Sequence, residues 1–131
     1  MVGTLNVNTP RKVVFIGNAH TGKSKVVRKL LEEAIPNRPY VATLGVEVFP
    51  FREQGKTYNI WDCGGDKRYR GLCEGYYEQA HIVIIFEGGG HGQGDLTKTE
   101  WCSLVNRTTD ASIYVVRNPS IDDIKGILAT I

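Results

Sequence analysis

A chain of 131 residues suffices for one domain with a real core, at the lower end for a multi-strand α/β sheet with helices on both faces. Its 16 basic and 14 acidic residues leave a formal charge of +2 with neither sign in a long block, which argues against nucleic-acid or membrane binding. Cys63, Cys73 and Cys102 lack the spacing of a zinc site or a disulfide framework, and neither a signal-like start nor a bilayer-length apolar stretch is seen; a soluble chain of the cytoplasm or nucleus is expected.

The first predicted element is a buried strand, Val13-Val14-Phe15-Ile16. It leads into Gly17-Asn18-Ala19-His20-Thr21-Gly22-Lys23-Ser24, two glycines separated by four residues and followed by Lys and Ser. Val26, Val27, Leu30, Leu31 and Ala34 then repeat at helical spacing, so the motif bridges a strand and a helix. In that setting backbone N–H groups curl inward and the helix N-terminus adds its partial positive charge to hold an anion. Lys23 is placed to reach β- and γ-phosphates and Ser24 to complete a Mg²⁺ shell. A glycine turn with a chance Lys-Ser is the bland alternative, and the flanking strand and helix weigh against it.

Pro36 and Pro39 end the helical pattern, and an extended run follows from Tyr40 to Phe51, with a turn at Gln54-Gly55. Thr57 to Trp61 alternates as a half-buried strand and delivers Asp62 beside the phosphate loop. The stretch Gly64 to Gly75 is looser, and its Lys67, Arg68 and Arg70 read as a solvated face. Ile82 to Phe86 is a third buried strand, Glu87 to Gly94 a glycine-rich loop, and Thr97 to Asn106 a weak helix with Trp101, Leu104 and Val105 on one face. Ile113 to Val116 is the last strand, and a helix begins at Ile121. Alternating strands and helices predict a mostly parallel, doubly wound sheet with ligands at the C-terminal strand ends.

Asp62 and Gly65 form an Asp-x-x-Gly sequence directly after a strand. A carboxylate there suits Mg²⁺, and the glycine N–H suits a γ-phosphate. Taken alone, Asp62 reads equally as a cap or turn former. Thr43 offers a second hydroxyl for Mg²⁺, against the plain reading of a β-branched strand residue.

In this order and spacing, the Gly17 to Ser24 loop, the Thr43 segment and the Asp62 to Gly65 segment resemble the Ras-like small GTPases. Within them the run Tyr40 to Val48, with Trp61-Asp62, Gly71-Leu72, Gly75-Tyr76-Tyr77 and Gln79-Ala80, is most similar to the nuclear-transport branch, Ran. The resemblance covers about Val13 to Asn118. It implies a P-loop NTPase of small-GTPase type, with GTP or GDP bound at Gly17 to Ser24, Thr43, Gly65 and Asn118, and Mg²⁺ at Ser24, Thr43 and Asp62. It further implies a switch whose Tyr40, Thr43, Leu44, Gly45, Val46, Glu47 and Tyr69 meet nuclear-transport receptors.

Four departures from that family matter, and the first two, Asp66 and Ala19, predict slow turnover. Asp66 stands where the family has its water-orienting glutamine, Ala19 replaces a phosphate-loop glycine, and His20, replacing another, is expected to point outward. The Asn-Lys-x-Asp base motif becomes Asn118-Pro119-Ser120-Ile121, leaving Asp122 one residue late as its replacement carboxylate. Fourth, the last strand and helix of the family have no counterpart here. An apolar face beside the first helix and a bare edge along Ile113 to Val116 are therefore expected, and with them a homodimer or obligate partner. The leading expectation is a Ran-like GTP-binding protein slow in hydrolysis that engages or competes for transport partners. A nucleotide-free decoy is the alternative, and a P-loop kinase is disfavoured because the switch-like segments have no role in one.

Overall fold

The computed structural model describes residues 9–18, 21–37, 46–63, 77–88, 96–106 and 109–131. Five strands form one sheet: β1 (Arg11–Gly17), β2 (Val46–Glu53), β3 (Lys56–Cys63), β4 (Ile82–Glu87) and β5 (Ser112–Arg117). Three helices accompany them: α1 (Lys23–Ala34), α2 (Lys98–Asn106) and α3 (Ile121–Leu128). The strand order is β2-β3-β1-β4-β5, parallel except for the β2–β3 hairpin. This is the expected α/β class. The hairpin turns at Gln54 and Gly55, both at positive φ (51° and 79°), as a two-residue turn matching strand twist requires. Pro50 is tolerated because β2 is an edge strand.

Alternation along the strands divides the core in two. Val13 and Phe15 of β1 face one side with Tyr58 and Ile60 of β3, and with Ile82, Ile84 and Phe86 of β4. There they meet Val26, Val27, Leu30 and Leu31 of α1. Val14 and Ile16 face the other side with Val83 and Ile85, where α2 contributes Trp101, Leu104 and Val105 and the segment before β4 contributes Tyr77. The continuous apolar runs of β1 and β4 follow from burial on both faces. Phe15 and Phe86 meet in a tilted aromatic pair, centroids 5.3 Å apart.

The C-terminal segment departs from the expectation of a bare apolar face beside α1. Helix α3 lies over that face, with Ile124 and Leu128 fully buried in the same cluster as Leu30 and Tyr58. Ser120 and Asp123 start it with a reciprocal capping box. Three polar ties then fasten it across the sheet. The Tyr58 hydroxyl donates to the Leu128 carbonyl at 2.9 Å, Lys56 Nζ donates to the Ile131 carbonyl at 3.1 Å, and Lys125 bridges Glu33 of α1 (3.1 Å) and Glu53 of β2 (3.3 Å). Eight residues cover the face because Ile124 and Leu128, four apart, project from one side of the helix. Among the described residues the only large exposed apolar side chain is Val48. Strand β5 pairs with β4 alone and leaves its other side as a sheet edge.

Burial pushes the Tyr58 phenol above its ordinary range, with Arg11 opposing and Glu53 assisting; hydrogen bonds from Lys125 to Glu33 and Glu53 push that ammonium up as well. A group whose pKa is raised by folding contributes stability that is full below its unfolded value and lost as pH rises through the folded one. The melting temperature of the protein therefore falls on the alkaline side, above about pH 10. Tyr58→Phe makes that alkaline fall shallower while costing about 1–3 kcal/mol in urea unfolding at neutral pH, because the buried Leu128 carbonyl loses its donor. An unchanged alkaline slope in the variant would show that Tyr58 is not held in this contact.

Candidate functional site

The parallel strands β1, β3, β4 and β5 all point their C-terminal ends to one edge, and β1 lies where connections depart to both sides of the sheet. An open α/β sheet gathers its ligands at such a place. Gly17, Asp62 and Asn118 each lie at or just beyond one of those ends.

Gly17 closes β1 against β4: a Cβ at this position would lie 2.5 Å from the Phe86 carbonyl oxygen, so only glycine allows the approach. Asn18 then anchors the loop to the segment before α2, its amide donating to the Leu96 carbonyl at 2.7 Å while its own oxygen accepts from the Leu96 N–H at 3.0 Å. The Thr21 hydroxyl donates back to the Asn18 carbonyl at 3.0 Å. Gly22 caps α1 at φ 85°, a left-handed conformation, and carries no side chain that could occupy the first-turn N–H groups. The helix therefore opens toward the loop with its donors and its dipole aimed at whatever enters.

Lys23 and Asp62 meet inside this turn. Lys23 Nζ lies 2.7 Å from Asp62 Oδ1, and the two side chains are 7% and 2% exposed. The period of β3 explains the meeting: Tyr58, Ile60 and Asp62 share the face that α1 covers, and Asp62 is the member at the strand end. A buried pair this short is held by Coulomb attraction in a site that water barely reaches. Ser24 stands exposed in the first turn of α1. Ser24 and Asp62 supply hard oxygen donors of the kind Mg²⁺ takes alongside water and phosphate oxygens. Among the described residues no cluster of three His, Cys, Asp or Glu could hold a metal alone, which a cation shared with phosphates does not need.

Asn118, after β5, has φ 45°, a left-handed conformation that asparagine tolerates, and its Oδ1 lies 3.8 Å from the Cβ that Gly22 would carry. The turn after β5 thus overhangs the phosphate loop. A cavity of about 230 Å³ opens beside it, lined by Lys25, Val26 and Lys29 of α1 and by Asn118, Pro119, Ser120 and Ile121. Asp122 is exposed in the first turn of α3 and is not among these lining residues. Asp123 is engaged in the Ser120 capping box.

Of the residues singled out in the sequence, Gly17, Asn18, Thr21, Gly22, Lys23, Ser24, Asp62 and Asn118 are described, at this one edge. Ala19, His20, Tyr40, Thr43, Leu44, Gly45, Gly65, Asp66 and Tyr69 lie outside the described residues. Val46 and Glu47 open β2, half-buried and opposite Cys63 and Asp62. Sequence reading missed the Asn18–Leu96 clamp, which joins segments 78 residues apart, and the cavity-facing Lys25 and Lys29. It also missed the Thr97–Glu100 capping box at the start of α2, although Thr-x-x-Glu is a readable signal.

Comparison with known proteins bears on the same residues. The family profile described as Ras of Complex, Roc, domain of DAPkinase matches residues 12–122. Among solved structures, the Arl6 BBS3 small GTPase from Trypanosoma brucei with bound nucleotide analogue GppNp is similar at 20% identity and a TM-score of 0.58, over 93% of this chain and 97% of that one. At that identity the likeness speaks for the fold.

The buried pair carries its own test. Asp62→Ala strands the Lys23 ammonium and lowers stability by about 3–5 kcal/mol in urea unfolding, whereas Lys23→Met with Asp62→Leu recovers most of the loss. Equal losses in the single and double variants would mean that the two side chains are not paired.

Proposed function

Because the chain belongs to the Ras of Complex (Roc) family of Ras-like domains, we propose that it is a guanine-nucleotide-binding domain whose switch outlasts its chemistry: it takes GTP with Mg²⁺ and hydrolyses it slowly. The observation that carries this reading is the buried Lys23–Asp62 pair at the mouth of the phosphate loop. A cation and a carboxylate held 2.7 Å apart have complementary uses once a triphosphate arrives: Lys23 for the β- and γ-phosphate oxygens, Asp62 for the cation. Mg²⁺, when bound, neutralises the phosphate charge that develops at the γ position. Ser24 and Asp62, with Thr43, are the residues to hold it. The Gly22 turn and the first N–H groups of α1 orient the phosphates, and the Asn18 clamp keeps the loop in shape.

Slow turnover follows from Asp66. A carboxylate in place of a glutamine amide adds negative charge beside a γ-phosphate, and repulsion there opposes the transition state. The partner class is the finer part of the proposal. The segment Tyr40 to Val48 and Tyr69 are similar to Ran, which supports nuclear-transport receptors as partners, met through Tyr40, Thr43, Leu44, Gly45, Val46, Glu47 and Tyr69, and work in the cytoplasm or nucleus. A homodimer loses part of its motive, since α3 covers the face on which that expectation stood; the open edge of β5 is what remains for it.

A second reading, a decoy free of nucleotide, draws on the same ion pair, since Lys23 and Asp62 satisfy each other without a ligand. Two measurements separate the readings. Mg²⁺-GTP raises the melting temperature of nucleotide-stripped protein, and Lys23→Ala abolishes the rise. Single-turnover phosphate release is slow in the wild type and rises at least about tenfold in Asp66→Gln, equivalent to about 1.4 kcal/mol of barrier. Absence of any stabilisation by GTP or GDP leaves the decoy.

A further inference from the structure

Asn18 pairs with a stretch of main chain as another main chain would. Its Nδ2 donates to the Leu96 carbonyl at 2.7 Å while its Oδ1 accepts the Leu96 N–H at 3.0 Å, the double exchange that two opposed residues make in an antiparallel ladder. A side-chain amide carries a donor and an acceptor side by side, whereas an aspartate of the same shape would set an oxygen against the Leu96 carbonyl. Both bonds are partly withheld from water, so solvent does not fully replace one that is lost.

The two ends of this pair are held independently. Leu96 directly precedes Thr97, whose N–H donates to Glu100 Oε1 at 3.0 Å while its Oγ1 accepts the Glu100 N–H at 3.2 Å, so Leu96 belongs to the capped start of α2. Helix α2 is in turn fixed to β1, with Trp101, Leu104 and Val105 in the cluster of Val14 and Ile16. On the loop side, the Asn18 carbonyl accepts the Thr21 hydroxyl at 3.0 Å, and Thr21, 6% exposed, stands next to Gly22, which opens α1. A polar thread therefore runs from α2 through Leu96, Asn18 and Thr21 to the first turn of α1. Gly17 and Gly22 bound the loop it crosses and bring no side chains to hold it in shape.

We propose that Asn18 is a positioning residue that sets the phosphate loop in its ligand-ready form before the ligand arrives, and that through it α2 shares in nucleotide binding. The inference rests on the nucleotide reading above and deepens it. A loop that spends only a fraction of its time in the competent form binds with its affinity reduced by that fraction, and the loss falls on association. Coupling is reciprocal: if α2 holds the loop for the ligand, the ligand holds α2 through the loop.

Amide hydrogen exchange of the full chain, with and without Mg²⁺ and a non-hydrolysable GTP analogue, tests this together with binding kinetics. In the wild type the analogue is expected to slow exchange in both α1 and α2. In Asn18→Ala the slowing persists at α1 and is lost at α2, and affinity falls at least about tenfold, mostly in the association rate. Leu96→Pro, which removes the one N–H that Oδ1 accepts, slows association in the wild-type background and has no further effect on it in Asn18→Ala. That variant carries the exchange test if Asn18→Ala fails to fold. A side chain that only supported the fold would lower the melting temperature while α1 and α2 still responded to the analogue together. Binding that leaves α2 exchange untouched in the wild type, or slows it equally in Asn18→Ala, overturns the inference and leaves the nucleotide switch standing. An analogue that does not bind, with no slowing at α1 either, brings down the nucleotide reading and this inference together.

Discussion

The structure turns on an ammonium and a carboxylate held 2.7 Å apart at the edge of a sheet, almost out of reach of water. Neither Lys23 nor Asp62 is stable there alone, because an isolated buried charge costs several kcal/mol. Each must come from a different element, and both must arrive at one point. That requirement places β3 beside β1, aligns Tyr58, Ile60 and Asp62 under α1, and demands a glycine at position 17 so that β1 can press against Phe86 before the chain turns. The fold is in this sense a device for bringing one cation and one anion to the same strand edge.

The rest of the molecule secures that edge. Two apolar clusters clamp the central strands from both sides, and α3 closes the cluster under α1 with two fully buried residues and three polar ties. The same short helix has a consequence for chemistry. Its capping box takes Asp123 for itself, and Asp122 stands exposed, so neither carboxylate is among the residues that line the cavity by the phosphate loop.

Much of this was legible in the sequence because two periodicities carry it. The uninterrupted apolar runs at Val13 to Ile16 and Ile82 to Phe86 marked strands buried on both faces, and Val26, Val27, Leu30 and Leu31 marked the helix between phosphate loop and hairpin. Asp62 was readable as a strand-end carboxylate beside the phosphate loop, whereas its pairing with Lys23 was not, because the motif assigns Lys23 to phosphates. The C-terminal helix was harder. Its start was readable, but where it lies depends on Leu128 reaching Tyr58, a contact 70 residues away in sequence that no local pattern encodes. The capping box was equally hard to assign, because Asp122-Asp123 reads alike as a displaced base reader or as a helix first turn, and Ser120 takes Asp123 for the helix. The Asn18 clamp was hidden because asparagine carries no periodic signal.

The most direct test of the account is a crystal structure of the protein with Mg²⁺ and a non-hydrolysable GTP analogue. Lys23 Nζ is expected to leave Asp62 and face the β- and γ-phosphate oxygens, with Asp62 toward the cation beside Ser24. A nucleotide bound elsewhere, with Lys23 still 2.7 Å from Asp62, would contradict it.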